Sequence, residues 1–193
     1  MELRRFDRDV SLVRIQNTRE ALPYRASFVG AYQTVWSEPP YHEKFWPYEA
    51  ESVLKRQLQT DGHVTLLAVR GLSTVVGFGF AVPLSSRKDV VRHVQGLLPV
   101  ASTFYLSELG VLDQYRGLGL GGAMVEERIQ AIDQQVYTYA LLRASARKGD
   151  RGLDMYTQRD FEDIGVYMEV PSRRIDGKVS TDRRLFLSRV LRS

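Results

Sequence analysis

The sequence predicts an α/β (α+β) protein with a central mixed, mostly antiparallel sheet and helices on both faces. Neighbouring strand-like runs are followed by alternating helix-like and strand-like runs, an order that is typical of such a sheet. At 193 residues, with 44% hydrophobic and 26% charged residues, the composition is that of a globular protein able to bury a core of its own. Because the chain shows no repeats and no low-complexity linker, we expect one domain over residues 1–193.

The elements of the first half follow from prolines, glycines and the spacing of apolar residues. Proline fits the first turn of a helix, and Pro23 and Pro47 each precede apolar residues at helical spacing. Gly71 separates two apolar runs, which predicts a hairpin. The predicted elements are a strand at 8–16, helices from Pro23 to about residue 36 and from Pro47 onward, and strands at 64–70 and 74–82.

The second half begins with an inserted segment at 85–99. Ser86 and Asp89 have the spacing of a capping box, which predicts a helix in this segment. The predicted elements beyond it are a strand at 103–112, a helix at 119–133, a strand at 136–146, a helix at 150–159, and strands at 161–170 and 183–191.

A glycine-rich loop at residues 114–122, QYRGLGLGG, lies between a predicted strand and a predicted helix. Glycines there let backbone N–H groups approach an anion at the positive end of the helix dipole, which indicates a pyrophosphate ligand. A nucleoside-triphosphate loop is excluded because Gly121 is followed by Gly-Ala rather than by Lys-Ser/Thr. The spacing GxGxxG leaves a dinucleotide site open, although the next predicted strand ends at Arg147 and Lys148 rather than at a ribose-binding acid.

The segment ELGVLDQYRGLGLGGAMV closely resembles the acyl-CoA loop of the GNAT acetyltransferases, whose pattern Gln/Arg-x-x-Gly-x-Gly/Ala is filled by Gln114, Gly117 and Gly119. The resemblance implies a GNAT-like N-acetyltransferase with acetyl-CoA as its acyl donor. It also implies that loop N–H groups hold the CoA pyrophosphate and that the strand before the loop pairs with the pantetheine arm. The implied cofactor-binding residues are Leu109, Gly110, Val111, Gln114, Tyr115, Arg116, Gly117, Leu118, Gly119, Leu120 and Gly121.

Acyl transfer from a thioester to an amine needs a group that takes a proton from the amine. The chain has no cysteine, which favours direct attack in a ternary complex. Glu108 is the candidate catalytic base, because it is the one charged residue in the run 94–111 and the GNAT family often has a glutamate there. Partial burial would raise its pKa towards neutrality. The alternative is a carboxylate that is satisfied by a neighbouring arginine or hydroxyl.

Tyr156 is the candidate catalytic acid, because GLDMYTQRDFEDIG resembles the final-helix pattern of the family, with Phe161 five residues further on. A phenol stays protonated at neutral pH and can protonate the departing thiolate. The alternative is simple packing on the CoA. Two positions depart from the family pattern: Gly149 replaces the usual asparagine, which puts a contact to the CoA arm in doubt, and Asp160 replaces the usual glycine.

Residues 36–51, WSEPPYHEKFWPYEAE, join the first two predicted helices, and this region shapes the acceptor site in the GNAT family. Its four glutamates and five aromatic residues suit a cationic amine. They equally suit a loop whose aromatic residues pack in the core and whose acids are solvated. We expect a small-molecule amine acceptor. A protein amino group is the nearest alternative, and a non-catalytic acyl-CoA-binding sensor is another.

The net charge of +4 is concentrated in residues 171–193, where seven basic and two acidic residues give +5. These basic residues alternate with apolar ones, so we favour a solvated strand face over a nucleic-acid surface. Scattered histidines and the lack of cysteine predict no metal site. The absence of a long apolar run and of a signal-peptide pattern predicts no membrane span and a cytoplasmic protein, as a monomer or homodimer.

Overall fold

The computed structural model describes residues 1–146 and 151–191. Its strands are β1 (Glu2–Phe6), β2 (Val10–Ile15), β3 (Val64–Arg70), β4 (Thr74–Pro83), β5 (Thr103–Val111), β6 (Tyr139–Ser145), β7 (Glu162–Arg173) and β8 (Val179–Val190). All eight lie in one sheet, in the order β1-β2-β3-β4-β5-β6-β8-β7. Neighbours pair antiparallel except β5 and β6, which pair parallel. The predicted mixed, mostly antiparallel sheet is confirmed.

Helices cover both faces of this sheet. Those in the described residues are α1 (Thr18–Ala21), α2 (Arg25–Ser37), α3 (Pro47–Gln59), α4 (Lys88–Val94), α5 (Leu120–Gln130) and α6 (Arg151–Thr157). Phe78, Phe80 and Val82 alternate along β4 and therefore point to one face, where they pack under α2, α3 and α4. The other face packs against α5 and α6 in a separate core that includes Met124 and Phe161.

Most predicted elements are present, and their ends differ by a few residues. β3 and the start of α3 at Pro47 agree with the prediction, whereas α2 begins at Arg25, after a 3₁₀ turn that contains Pro23. The tail folds as the β7–β8 hairpin. β1 was not predicted, because its charged residues face solvent along the sheet edge and pair only with β2.

The predicted capping box in the inserted segment is wrong. α4 begins at Lys88 with Arg87 as its N-cap, and no side chain caps it. The Ser86 hydroxyl instead donates to the Pro83 carbonyl at 2.7 Å, and the Asp89 carboxylate pairs with the Arg87 guanidinium. A charged partner two positions away therefore takes the carboxylate that a capping box would use.

The central feature of the sheet is the divergence of β5 from β6. The parallel pairing covers Thr103–Leu106 on β5 and ends at the pair Leu106–Leu142, although both strands continue beyond it. On its other side, β5 carries a β-bulge: Phe80 is opposite Glu108 while Ala81 is opposite Leu106, so Ser107 is the extra residue. A bulge bends its strand and re-aims the neighbouring side chains. Beyond Leu106 the end of β5 is therefore not paired with β6, and the site described below lies along it.

Arg128 of α5 donates side-chain hydrogen bonds to the backbone at the bulge. Its side chain has no solvent exposure, and its Nη1 donates to the carbonyls of Phe80 at 2.9 Å and Glu108 at 3.0 Å, while its Nε donates to Met124 at 3.0 Å. Burial lowers the pKa of this guanidinium, and interactions with Tyr156 and Glu108 oppose that shift. One side chain thus joins β4, β5 and α5 at the point where the sheet opens.

Arg128→Ala should lower the free energy of unfolding by about 3 kcal/mol or more, because it leaves a cavity and unpaired buried carbonyls. Urea denaturation followed by circular dichroism measures this change. Arg56→Ala, on the exposed surface of α3, is the matched control and should stay within about 0.5 kcal/mol of the wild type. Equal midpoints for the Arg128 and Arg56 variants would contradict the bridging role.

Candidate active site

A cavity of about 1070 Å³ opens where β5 leaves β6. One wall is the end of β5 and the glycine loop, residues 114–122, and the other is the end of α2 with the start of the acidic loop, residues 36–51. Gly152 and Met155 of α6 line it as well. Of the predicted cofactor-binding residues, those that line this cavity are Leu109, Gly110, Val111, Tyr115, Arg116, Gly117, Gly119, Leu120 and Gly121.

Two predicted cofactor-binding residues, Gln114 and Leu118, do not line the main cavity. Gln114 lies beside a smaller open depression with Arg8 and Arg70, and its carbonyl accepts a hydrogen bond of 2.6 Å from Arg8. Leu118 is partly buried against the core under α5. The loop is thus fixed to the β1–β2 turn on one side and to the core on the other.

The glycine loop has the backbone geometry that an anion site needs. Gly117 and Gly119 have φ angles of 81° and 80°, in the left-handed region that favours glycine, and an added Cβ at either would meet no atom within 4 Å. Glycine is therefore required by conformation rather than by space. α5 begins directly after Gly119, so the unpaired N–H groups of its first turn lie at the cavity.

At Gly110, glycine is required because there is no space for a side chain. An added Cβ there would collide with the ring of Phe78 and with Val35 at 2.9 Å. The end of β5 therefore packs directly onto the aromatic cluster beneath α2.

Glu108 lies beside this strand edge, on the face covered by α2. Its side chain is half-buried, and Oε2 accepts a hydrogen bond of 3.5 Å from the Tyr32 hydroxyl. Burial raises the pKa of the Glu108 carboxyl above its ordinary value, while Arg143 and Arg87 oppose the shift. The direction is the one expected of a base that acts near neutral pH.

Tyr156 lies behind the cavity rather than on its surface. It is buried, packs edge-on against Phe161 with ring centroids 5.8 Å apart, and interacts with the Arg128 guanidinium. Asp160 has φ 60°, so it occupies the left-handed conformation that would account for the glycine usual at this position. Gly149, the other departure, lies outside the described residues.

The four glutamates of the acidic loop are all paired with arginines. The pairs are Glu38–Arg116 at 3.6 Å, Glu43–Arg184 at 3.0 Å, Glu49–Arg173 at 3.6 Å, and Glu51–Arg25. Trp36, Tyr41 and Phe45 pack with Tyr32 as one aromatic cluster. Three of the five aromatic residues are therefore packed, as the alternative interpretation has it, whereas Trp46 and Tyr48 are exposed. The four acids form ion pairs with arginines.

The tail hairpin supplies two of these arginines. Arg184 and Arg174 keep only 15% and 14% side-chain exposure, and Arg174 pairs with Asp182 at 3.1 Å. The acidic loop also bonds to the hairpin through its backbone, since the Lys44 N–H donates to the Arg173 carbonyl at 2.7 Å. The prediction of a solvated strand face therefore fails for these two residues.

Sequence reasoning missed the groups that surround Glu108. Tyr105 lies beneath it on β5, and the Arg143 Nε donates to the Tyr105 hydroxyl at 2.6 Å. Arg87 lies over the same ring, 5.2 Å from its centroid. For Arg143 the sequence did contain a signal. Arg143 is the single charged residue of the run 136–146, just as Glu108 is the single charged residue of the run 94–111.

Residues 1–146 and 151–191 contain no group of three or more histidine, cysteine, aspartate or glutamate residues placed to hold a metal ion. No helix in these residues is both long and apolar enough to cross a membrane. A dinucleotide site of the doubly wound type needs a parallel sheet, and this sheet is mostly antiparallel.

No protein-family model and no curated protein matches the chain. Solved structures do match. A ribosomal-protein-alanine N-acetyltransferase from Brucella melitensis has a TM-score of 0.64 and 16% identity, covering 93% of this chain and 99% of that one. A GNAT-family acetyltransferase from Streptococcus pneumoniae has a TM-score of 0.61 and 18% identity, covering 93% and 99%. An aminoglycoside 6'-acetyltransferase type Ii has a TM-score of 0.63 and 12% identity, covering 94% and 98%.

Identities this low establish the fold alone. The fold agrees with the resemblance carried by Gln114, Gly117 and Gly119, because the glycine loop lies between β5 and α5 and faces the cavity. The chain therefore has the fold of these acetyltransferases.

Proposed function

We propose that the protein is an N-acetyltransferase that moves the acetyl group of acetyl-CoA to a primary amine of a small molecule by direct attack in a ternary complex. The observation that carries the proposal is the cavity at the β5–β6 divergence, which brings together the glycine loop and an unpaired strand edge. The half-buried Glu108, whose carboxyl pKa is raised, comes directly before that edge on β5. The names of the structural neighbours, which are N-acetyltransferases, support the same reaction.

The proposed acetyl-CoA site follows from backbone groups. β6 stops pairing with β5 at Leu106, so the β5 edge at Leu109–Val111 can pair with the amides of a pantetheine arm as an added strand would. The N–H groups of residues 116–121 and the first turn of α5 would hold the pyrophosphate. Arg116 would contribute its backbone N–H group rather than its side-chain charge, because its guanidinium already pairs with Glu38 and Asp113.

The chemistry uses two proton transfers. The amine nitrogen attacks the thioester carbonyl carbon, the C–S bond breaks, and the nitrogen's proton passes to Glu108 directly or through a water. Tyr156 would protonate the CoA thiolate. An arginine can only donate hydrogen bonds, so the Tyr156 oxygen accepts in its contact with Arg128 and its own proton is directed elsewhere.

Two other interpretations stay open as outcomes of experiment. A non-catalytic acyl-CoA sensor would use the glycine loop without needing Glu108 or Tyr156, and a protein amino group could replace the small-molecule acceptor. The cytoplasmic location and the monomeric or homodimeric state remain predictions.

Gly119→Asp should weaken acetyl-CoA binding by roughly 100-fold, because it places a carboxylate where the pyrophosphate would lie and strains a left-handed residue. Isothermal titration calorimetry measures the affinity. Gly177→Asp is the matched control, since Gly177 has φ 84° with open space around it but lies in the turn of the β7–β8 hairpin. Equal affinities for the two variants would contradict the proposed site, and tight binding of NADH by the wild type would favour the dinucleotide alternative.

Glu108→Gln should lower kcat by roughly 10²- to 10⁴-fold and remove the ascending limb of the pH–rate profile, with little change in acetyl-CoA affinity. The limb lies above the ordinary glutamate pKa, because burial raises the pKa of Glu108. Initial rates of thiol release across pH provide the measurement. Glu169→Gln, on the exposed side of β7, is the control. An unchanged profile in the Glu108 variant would assign the proton to another group.

Tyr156→Phe should slow acyl transfer by about 10- to 10³-fold, because it removes the phenol proton and keeps the ring packed on Phe161. Single-turnover rates with acetyl-CoA are compared at a temperature where both proteins are fully folded. Tyr48→Phe, on the exposed face of α3, controls for loss of a hydroxyl. Wild-type rates in the Tyr156 variant would leave this residue as a packing group.

A further inference from the structure

Four side chains on the face of the sheet covered by α2 surround the proposed acceptor position, and we call this set the acceptor groove: Tyr32, Tyr105, Glu108 and Arg143. These residues lie on one face of the sheet: Tyr32 of α2 reaches Glu108, and Arg143 reaches Tyr105. Arg143 also donates from Nη1 to the Met168 sulfur at 3.0 Å. The groove therefore runs from the proposed base on β5 to a guanidinium on β6.

The other arginines near the groove are paired. Arg87 makes two hydrogen bonds to Asp89, at 3.0 and 2.9 Å, Arg184 pairs with Glu43, and Arg174 pairs with Asp182. Each of these guanidinium groups has a carboxylate that offsets its charge. None of them is left to bind an anionic ligand.

Arg143 differs from these arginines. Within residues 1–146 and 151–191, no carboxylate lies at ion-pair distance from its guanidinium, and its partners are a phenol and a thioether. A thioether is a weak acceptor, and a half-buried guanidinium without a charged partner is costly. Arg143 is thus the cation of the groove that can still receive an anion.

Glu108 and Arg143 flank the divergence of the two strands. The last β5–β6 pair is Leu106–Leu142, so Arg143 comes directly after it on one strand and Glu108 follows the bulge on the other. Of the charged groups around Glu108, Arg143 lowers the pKa of the Glu108 carboxyl most. A negative and a positive group therefore lie near each other on one face of the sheet.

This pair complements a molecule that carries both charges. An ammonium would meet the Glu108 carboxylate, and a carboxylate attached close to it would meet the Arg143 guanidinium. A polycationic acceptor would bring further positive charge to Arg143, while the glutamates of the acidic loop are already paired. A peptide N-terminus has an amide, not a carboxylate, beside its amino group.

We propose that the acceptor is an α-amino acid or a related amine whose carboxylate lies one or two carbons from the nitrogen, with the ammonium at Glu108 and the carboxylate at Arg143. The inference rests on the proposed function and names its substrate class. In the reaction an N–C bond forms at the amine, the thioester C–S bond breaks, and the acceptor carboxylate remains unchanged.

The first arm of the test compares acceptors with the wild-type enzyme. Each standard amino acid is assayed against its own primary amide, together with an alanine-initiated peptide and a polycationic aminoglycoside, by thiol release and by the mass of the product. The best amino acid should exceed its amide in kcat/KM by roughly 10- to 100-fold, the range that a charged hydrogen-bonded contact gives.

The second arm changes Arg143. On the alkaline plateau of the pH–rate profile, where Glu108 is ionised in every variant, Arg143→Gln should lower kcat/KM for the amino acid by roughly 10- to 100-fold, mainly through KM. The rate with the amide should stay within about threefold, and Arg143→Lys should restore part of the preference. Arg92→Gln is the control, because this arginine lies on the exposed side of α4.

The outcomes distinguish the proposal of an amino-acid acceptor from the proposal of acetyltransferase activity. An amide, peptide or aminoglycoside that matches or exceeds the amino acids overturns this inference and leaves the acetyltransferase proposal standing. Retention of the amino-acid preference in Arg143→Gln likewise overturns the role of Arg143. Acetyl-CoA binding without transfer to any acceptor of the four classes overturns the proposed function itself, and the inference with it.

Discussion

The site depends on a buried guanidinium at the place where the sheet opens. The β4–β5 bulge leaves carbonyls that need donors in an apolar interior, and Arg128 supplies them for Phe80 and Glu108. The same group interacts with Tyr156 of α6. The bulge, the proposed base and the proposed acid therefore share one support, although Arg128 itself lies beneath the cavity.

Charge in this chain is balanced between distant segments. The tail, which holds the excess of basic residues, and the acidic loop pair through Glu43–Arg184 and Glu49–Arg173. The hairpin also bonds to the loop through its backbone. The net charge of the tail is therefore no measure of a free basic surface. The pairing instead joins the acidic loop, which forms one wall of the cavity, to the hairpin. Arg143 has no carboxylate partner among the described residues.

The sequence predicts those parts of the molecule that local rules control. β3 and the glycine loop are examples, because apolar runs and left-handed glycines act within a few residues. β1 was not predicted, because an edge strand with solvated charges has no apolar pattern. The capping box failed because Arg87 competes for Asp89. The ion pairs of the acidic loop and the contact between Arg128 and β4 and β5 join distant segments, and no local pattern encodes them.

Two single charges in otherwise neutral strands connect the sequence to the proposed chemistry. Glu108 and Arg143 stand alone in their runs, and a charge in such a place lowers stability unless a partner offsets it. Each is only partly offset: Glu108 has a 3.5 Å hydrogen bond from Tyr32, and Arg143 has a phenol and a sulfur. Strands that diverge keep the two charges close without letting them pair. A ligand that carries both opposite charges would give each group a charged partner, and its binding would offset the cost of holding the two groups apart in the free protein.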